Sequence, residues 1–253
     1  MDLQNAAVIV TGGASGLGEA TARHFADKGA KVAIFDVNTE RGQALASEIG
    51  GKFFAVDVTS DESVSEAVEA AQSAHGVARI LVNCAGIAPP AKAVDREGQP
   101  VKLSKFSKVV EINLIGTFNT VSKFAAKLQA ADADTEGARG VIINTASIAA
   151  YEGQIGQAAY AASKAGVIGM CLPLAREFAR YGIRVVTIAP GVFWTPMMEG
   201  LPPEVQETLG KQVPFPSRLG RPEEFALLAQ SIVDNPLLNG EVIRLDGALR
   251  MGA

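Results

Sequence analysis

Seven short apolar runs punctuate this chain, at 6–10, 31–35, 52–56, 79–82, 141–143, 184–188 and 241–245, most of them rich in β-branched residues. Runs of that length without strict alternation suit strands covered on both faces, as in a parallel sheet. The stretches between them keep helical spacing. Leu17, Thr21 and Phe25 recur every four residues before Gly29, and Val64, Ala67, Val68 and Ala71 form a second inner face. Val110, Leu114, Phe118 and Val121 predict one side of a long helix over 107–128. Further helices are expected over 40–49 and 223–233, and Thr59 with Glu62 has the capping-box pattern that would start the Val64 helix. Strands alternating with helices predict an α/β fold, a seven-stranded parallel sheet flanked by helices, in one domain spanning 1–253.

Two segments break this alternation. Residues 88–108 mix Pro, Gly and charge and read as a loop, and Lys92, Arg96, Lys102, Lys105 and Lys108 make it the most basic part of the chain. Long loops in compact domains are often functional. The segment 192–217 carries Trp194, Pro196, Met197, Met198, Leu201, Phe215 and Pro216. That apolar yet turn-rich composition suits a lid over an apolar substrate, or packing against a neighbouring subunit.

Candidate chemistry gathers where the expected strands end. The first is followed by TGGASGLG and a helix, the order that makes a glycine loop informative: Gly12 permits the turn, Gly16 lets the backbone approach a pyrophosphate and Gly18 allows close helix packing. Asp36 ends the second strand 18 residues beyond Gly18, close to the separation at which a carboxylate takes ribose hydroxyls. Such a carboxylate favours NAD by repelling a 2′-phosphate, and Ser15 supplies no cation for that phosphate. Arg41 keeps NADP in play, and Asp36 can also cap the following helix. Asp57 sits where an adenine amino group would be read. Cys84, Ala85 and Gly86 are small enough at a strand's carboxyl end to let a flat ring approach the backbone.

The fifth strand delivers Ser147 to its carboxyl end, and Tyr160 and Lys164 stand four apart in a run of helical composition. A hydroxyl, a phenol and an ammonium converging on one cleft fit the exchange of hydride at a carbonyl carbon. A phenolate can take the alcohol proton if a nearby cation draws its pKa down from about 10, while Ser147 donates to the alkoxide. Tyr-x-x-x-Lys also occurs by chance in helices, so the inference rests on context.

The formal charge of −4 and pI near 5.3 give no general attraction to phosphate backbones, which argues against nucleic acid as the primary partner. No secretory signal and no apolar run of 18 or more is read, so a cytoplasmic chain without a membrane span is expected. The two cysteines, Cys84 and Cys171, do not suggest a disulfide framework. His24 and His75 read as incidental, and no metal site is expected.

With TGGASGLG, Asp36, DVTS, NCAG, Asn113, Ser147, YAASK and APG in this order, the chain resembles the short-chain dehydrogenases/reductases over its whole length. NCAGIA, NLIGTFN, RGVIINTASIAAYEGQIGQAAYAASK, VPFPSRLG and LNGEVIRLDGA look like the type II 3-hydroxyacyl-CoA dehydrogenase subgroup, also described as 17-beta-hydroxysteroid dehydrogenase type 10. The resemblance implies a Rossmann-like doubly wound fold, a homotetramer, NAD as cofactor, and a 3-hydroxyacyl-CoA or another bulky apolar alcohol as substrate. It makes Tyr160 the acid/base, with Lys164, Ser147 and Asn113, the last bending its helix and placing a water in a relay to Lys164. Ser15, Leu17, Asp36, Asp57, Val58, Cys84, Pro190, Phe193 and Thr195 would touch the cofactor. Ser147, Gln157 and Trp194 would face the substrate, although Trp194 stands where the family loop usually has a small residue. A steroid or other bulky alcohol dehydrogenase, and a scaffold subunit retaining the dinucleotide fold, are the competing readings.

Overall fold

The structure, a computed structural model, describes residues 1–199 and 202–252. Leu201 and the side chain of Met197, both named for the lid, lie outside the described residues. Seven strands form one all-parallel sheet: β1 (Ala7–Thr11), β2 (Lys31–Asp36), β3 (Lys52–Ala55), β4 (Ala78–Asn83), β5 (Gly140–Thr145), β6 (Ile183–Pro190) and β7 (Val242–Leu245). Their order is β3-β2-β1-β4-β5-β6-β7. The order reverses between β1 and β4, and in open α/β sheets ligands lie in the crevice that such a reversal leaves at the strand ends.

Two apolar layers sandwich the sheet, as the continuous runs require. On one face α1 (Gly16–Asp27) and α9 (Pro222–Asp234) cover Val8, Val10, Ile34, Ile143 and Ile188, with Phe25 and Phe225 fully buried. On the other, α3 (Asp61–His75), α5 (Gly116–Leu128) and α6 (Ala158–Ala179) cover Ile9, Phe35, Leu81, Ile142 and Val185. α2 (Thr39–Ile49) ends at Gly50, whose φ of 65° is the left-handed cap for which glycine is suited.

Three local expectations are corrected. The 88–108 segment is a loop only as far as 102: α4 (Leu103–Val110) starts there and passes through a π-helical turn, Glu111–Ile115, into α5. A π turn holds an extra residue, so the face predicted from Val110, Leu114, Phe118 and Val121 rotates. The buried side carries Val109, Asn113, Thr117, Thr120 and Val121, while Phe118 is 48% exposed. The cap of α3 is Ser60, accepting from the Ser63 amide, rather than Thr59, whose amide and hydroxyl both go to Asp57. α6 is 22 residues long and apolar enough by composition to cross a bilayer. Its Val167, Cys171, Leu174 and Phe178 are buried, the last three of them in the layer beneath α6.

Candidate active site

The glycine loop is built for close approach. Gly12 has φ +61°, and a Cβ there would stand 2.6 Å from the Ala85 amide nitrogen. A Cβ on Gly18 would collide with the Gly12 carbonyl, so α1 starts pressed against the loop. Gly16, at φ +54°, faces Thr195, with 3.4 Å between a built Cβ and Thr195 Cγ2. The loop between β1 and α1 is therefore flanked by the NCAG turn on one side and the start of the lid on the other. Ser15 is the N-cap residue of α1 yet makes no side-chain cap bond. An uncapped helix start and a cradle without Cβ atoms fit the pyrophosphate of a dinucleotide.

Asp36 closes the far end of this crevice. Its Oδ2 accepts from the Ala14 amide at 3.0 Å and its Oδ1 from the Asn38 amide at 2.9 Å, so the helix cap falls to Asn38, which accepts from Arg41 N–H. The Arg41 guanidinium turns to Glu19, 3.5 Å away. Val58 is buried, its carbonyl held by Asn119 Nδ2 at 2.9 Å. The turn after β4 hangs on a buried polar row. Asn83 Nδ2 donates to Asn144 Oδ1, Asn83 Oδ1 accepts from the Thr11 and Thr120 hydroxyls, and the Ala85 amide donates to Thr11 Oγ1.

Asn113, Ser147, Tyr160 and Lys164 do converge. Lys164 Nζ is 5.9 Å from the Tyr160 ring centre, and a Cβ on Gly86 would lie 3.1 Å from Asn113 Oδ1 and 3.5 Å from Lys164 Nζ. Tyr160 also lies close enough to Ser147 for the serine hydroxyl to act on the phenol. Ser147 Oγ accepts from the Ala149 amide at 3.1 Å, which leaves its own hydrogen for donation. The Asn113 amide grips the Ile87 backbone at both ends, Oδ1 accepting from N–H at 2.8 Å and Nδ2 donating to C=O at 2.9 Å, and Nδ2 also donates to Ser163 Oγ. Asn113 thus sits in the π turn and holds the 83–87 turn beside Lys164.

The electrostatics of the chain by itself run against the lowered Tyr160 pKa expected from a nearby cation. Burial dominates and pushes Tyr160 above its ordinary value, with the Ser147 hydroxyl opposing. Lys164, 4% exposed, is itself drawn down to about 8 by desolvation, and its ammonium donates to the Thr145 carbonyl at 2.7 Å. Cys84 is half-buried beside this cluster, its sulfur accepting from Thr145 Oγ1, and desolvation raises its thiol to about 11. A thiol of that pKa is protonated and unreactive at neutral pH. Alkylation with iodoacetamide at pH 7.5 should leave Cys84 unmodified over hours in the folded chain, as peptide mapping would show.

Beside Gly86 opens a cavity of about 800 Å³, walled mainly by apolar groups, among them Ile87, Pro89, Val101, Phe106 and Ala159, with Lys105 and Lys108 among its lining residues. The basic segment therefore does border the site. Gln157 and Trp194 join no catalytic side chain: Gln157 Oε1 accepts from the Gln154 amide, and Trp194 is half-exposed with its amide on the Gly220 carbonyl. Phe193 is buried against Gly220, and Pro190 ends β6. The lid contains two helices, α7 (Pro196–Glu199) and α8 (Pro203–Lys211), where turns were expected. Ser163 and the Thr145 carbonyl escaped the sequence reading. An inward serine next to Lys164 was a visible signal; a backbone acceptor leaves none.

Residues 6–206 match the sequence profile of the family described as short chain dehydrogenase. The chain is 51% identical over 252 residues to 3-hydroxyacyl-CoA dehydrogenase type-2 of Drosophila melanogaster, covering 98% of this chain and 99% of that one. It is 51% identical over 246 residues to the Homo sapiens protein of the same name, covering 96% and 94%. The crystal structure of 3-hydroxyacyl-CoA dehydrogenase type-2 from Mycobacterium avium superposes with a TM-score of 0.94 at 46% identity, covering 98% of this chain and 97% of that one.

Proposed function

The chain belongs to the short-chain dehydrogenase family, and from that premise we propose that it interconverts 3-hydroxyacyl-CoA and 3-oxoacyl-CoA with NAD. The observation that carries the reading is the convergence of Ser147, Tyr160 and buried Lys164 beside a glycine cradle that fits a dinucleotide. When bound, the nicotinamide supplies the hydride donor or acceptor and, in its oxidised form, a fixed positive charge. Ser147 Oγ–H donates to the substrate oxygen and orients it toward Tyr160 Oη. Tyr160 takes the hydroxyl proton during oxidation and returns it during reduction, and Lys164 adds positive charge beneath it. Asn113 keeps the 83–87 turn in place. Gly12, Ser15, Gly16, Leu17 and Gly18 would hold the pyrophosphate, Asp36 the ribose, Asp57 and Val58 the adenine end, and Cys84, Ala85, Gly86, Pro190, Phe193 and Thr195 the nicotinamide end.

The choice of NAD is supported by Asp36, whose charge opposes a 2′-phosphate, and by the pairing of Arg41 with Glu19. The acyl-CoA is supported by the apolar cavity and by the lysines around it, which suit an acyl chain and the phosphates of coenzyme A. Exposed Ile115, Phe118 and Leu172, on the π turn, α5 and α6, supply apolar surface for contact between copies, as the proposed homotetramer would need. Steady-state kinetics with acetoacetyl-CoA test the substrate and cofactor together. Turnover with NADH is expected at kcat/KM about 100-fold above that with NADPH, the size of effect that juxtaposed like charges of about 2–3 kcal/mol produce. No turnover at millimolar acetoacetyl-CoA would remove the substrate assignment, and equal efficiency with NADPH would remove the cofactor assignment.

A further inference from the structure

Ser147 starts a tight turn whose far end is clamped by the carboxyl-terminal segment. A 3-10 turn, Ile148–Ala150, follows it directly, and the Ile148 carbonyl accepts from both the Tyr151 and Glu152 amides. Glu152 is therefore coupled rigidly to Ser147. Arg244, next to last in β7, donates to Glu152 through both terminal nitrogens, at 2.8 Å and 3.2 Å. Its Nε donates to Asp246 at 2.7 Å, Nη2 also reaches the Leu249 carbonyl, and the guanidinium lies 5.1 Å from the Tyr151 ring centre. Arg250 reinforces both acids, and Glu152 Oε2 accepts from the Met251 amide. An apolar contact runs alongside, with Ile148 packed in one cluster with Val213 and Leu249. Side chains of Arg244 and Glu152 are only 22% and 21% exposed, so this bidentate pair is shielded well beyond a surface ion pair.

We infer that Arg244 and Glu152 are positioning residues for the reaction: the tail of the chain, acting through this pair, fixes where Ser147 holds its hydroxyl. Neither residue touches the reacting atoms. A misplacement of Ser147 by about 1 Å is enough to lower turnover on the order of 100-fold, whereas the glycine loop and Asp36, which would hold most of the dinucleotide, stand on β1, α1 and β2, away from the pair. The inference rests on the role given to Ser147 above.

A double-mutant cycle separates the two. Arg244→Met should lower kcat about 10- to 100-fold while NADH affinity, read by fluorescence titration, stays within about threefold. Glu152→Gln, a milder change, should lower kcat in the same direction, and Arg244→Lys should recover only part of the loss because an ammonium cannot make the bidentate contact. In a Ser147→Ala background, Arg244→Met should change kcat less than about twofold, because the hydroxyl it positions is gone. If the two losses multiply, or if Arg244→Met and Glu152→Gln turn over like the parent per folded molecule, the positioning role is wrong. If Ser147→Ala alone leaves kcat unchanged, it is the parent reading of Ser147 that fails.

Discussion

Tyr160→Phe is expected to lower kcat by about 10³-fold while leaving NADH binding within about twofold of the parent, the loss typical of removing a general acid/base. The substitution removes one oxygen and keeps the ring, so the packing beside Lys164 persists. Burial raises Tyr160 above its ordinary pKa in the chain itself, so at neutral pH the group is a phenol. A phenol is the form needed to protonate a ketone, and a phenolate is the form needed to accept a proton from an alcohol. Reduction should therefore be nearly flat around neutrality and fall as the pH rises toward the phenol's pKa. Oxidation should climb over the same range, more so before an added positive charge draws the pKa down. Stopped-flow and steady-state rates from pH 6 to 10 in both directions check the sign. A Tyr160→Phe enzyme within tenfold of the parent, or an oxidation rate that falls with rising pH, would exclude Tyr160 as the proton carrier.

That assignment was legible in the chain because its parts are local. Continuous β-branched runs announced the strands, the glycine spacing announced the loop, and the four-residue spacing of Tyr160 and Lys164 put them on one helical face. Features set by distant partners were not. The phase of the helix shifts at a π turn that contains Asn113, whose side chain bonds the Ile87 backbone 26 positions earlier, and no periodic pattern encodes that partner. Thr59 and Ser60 both offered a cap, and Asp57 decided between them by taking the Thr59 hydroxyl. The link from Arg244 to Glu152 spans 92 positions and joins two segments that look unremarkable separately. Even the ammonium of Lys164, expected to act on Tyr160, finds a backbone carbonyl on β5 that is invisible as a side-chain signal.

Lys164→Met should abolish most turnover and yet make the folded chain more stable at pH 7. Holding the Lys164 ammonium in a desolvated site lowers its pKa from 10.5 to about 8, which corresponds to about 3 kcal/mol of penalty on the charged form. Methionine has a similar length and no charge, but the substitution also leaves the Thr145 carbonyl without its donor, at a cost of about 1–2 kcal/mol. The net gain is about 1–2 kcal/mol, or about 4 °C in Tm for a chain of this size. The sign depends on pH in a defined window. Below about 8 the amine is protonated both folded and unfolded, so the parent carries the full penalty. Between about 8 and 10.5 the unfolded chain binds more protons than the folded one, so the parent's stability rises with pH and the advantage of the variant shrinks. Thermal unfolding without added nucleotide, at pH 7 and at pH 10, measures both halves. A variant less stable than the parent at pH 7, or an advantage that does not change with pH, would show that the buried ammonium is not held against a desolvation penalty. The expected outcome, a more stable but inactive enzyme, is what a site organised for chemistry at the expense of its own folding produces.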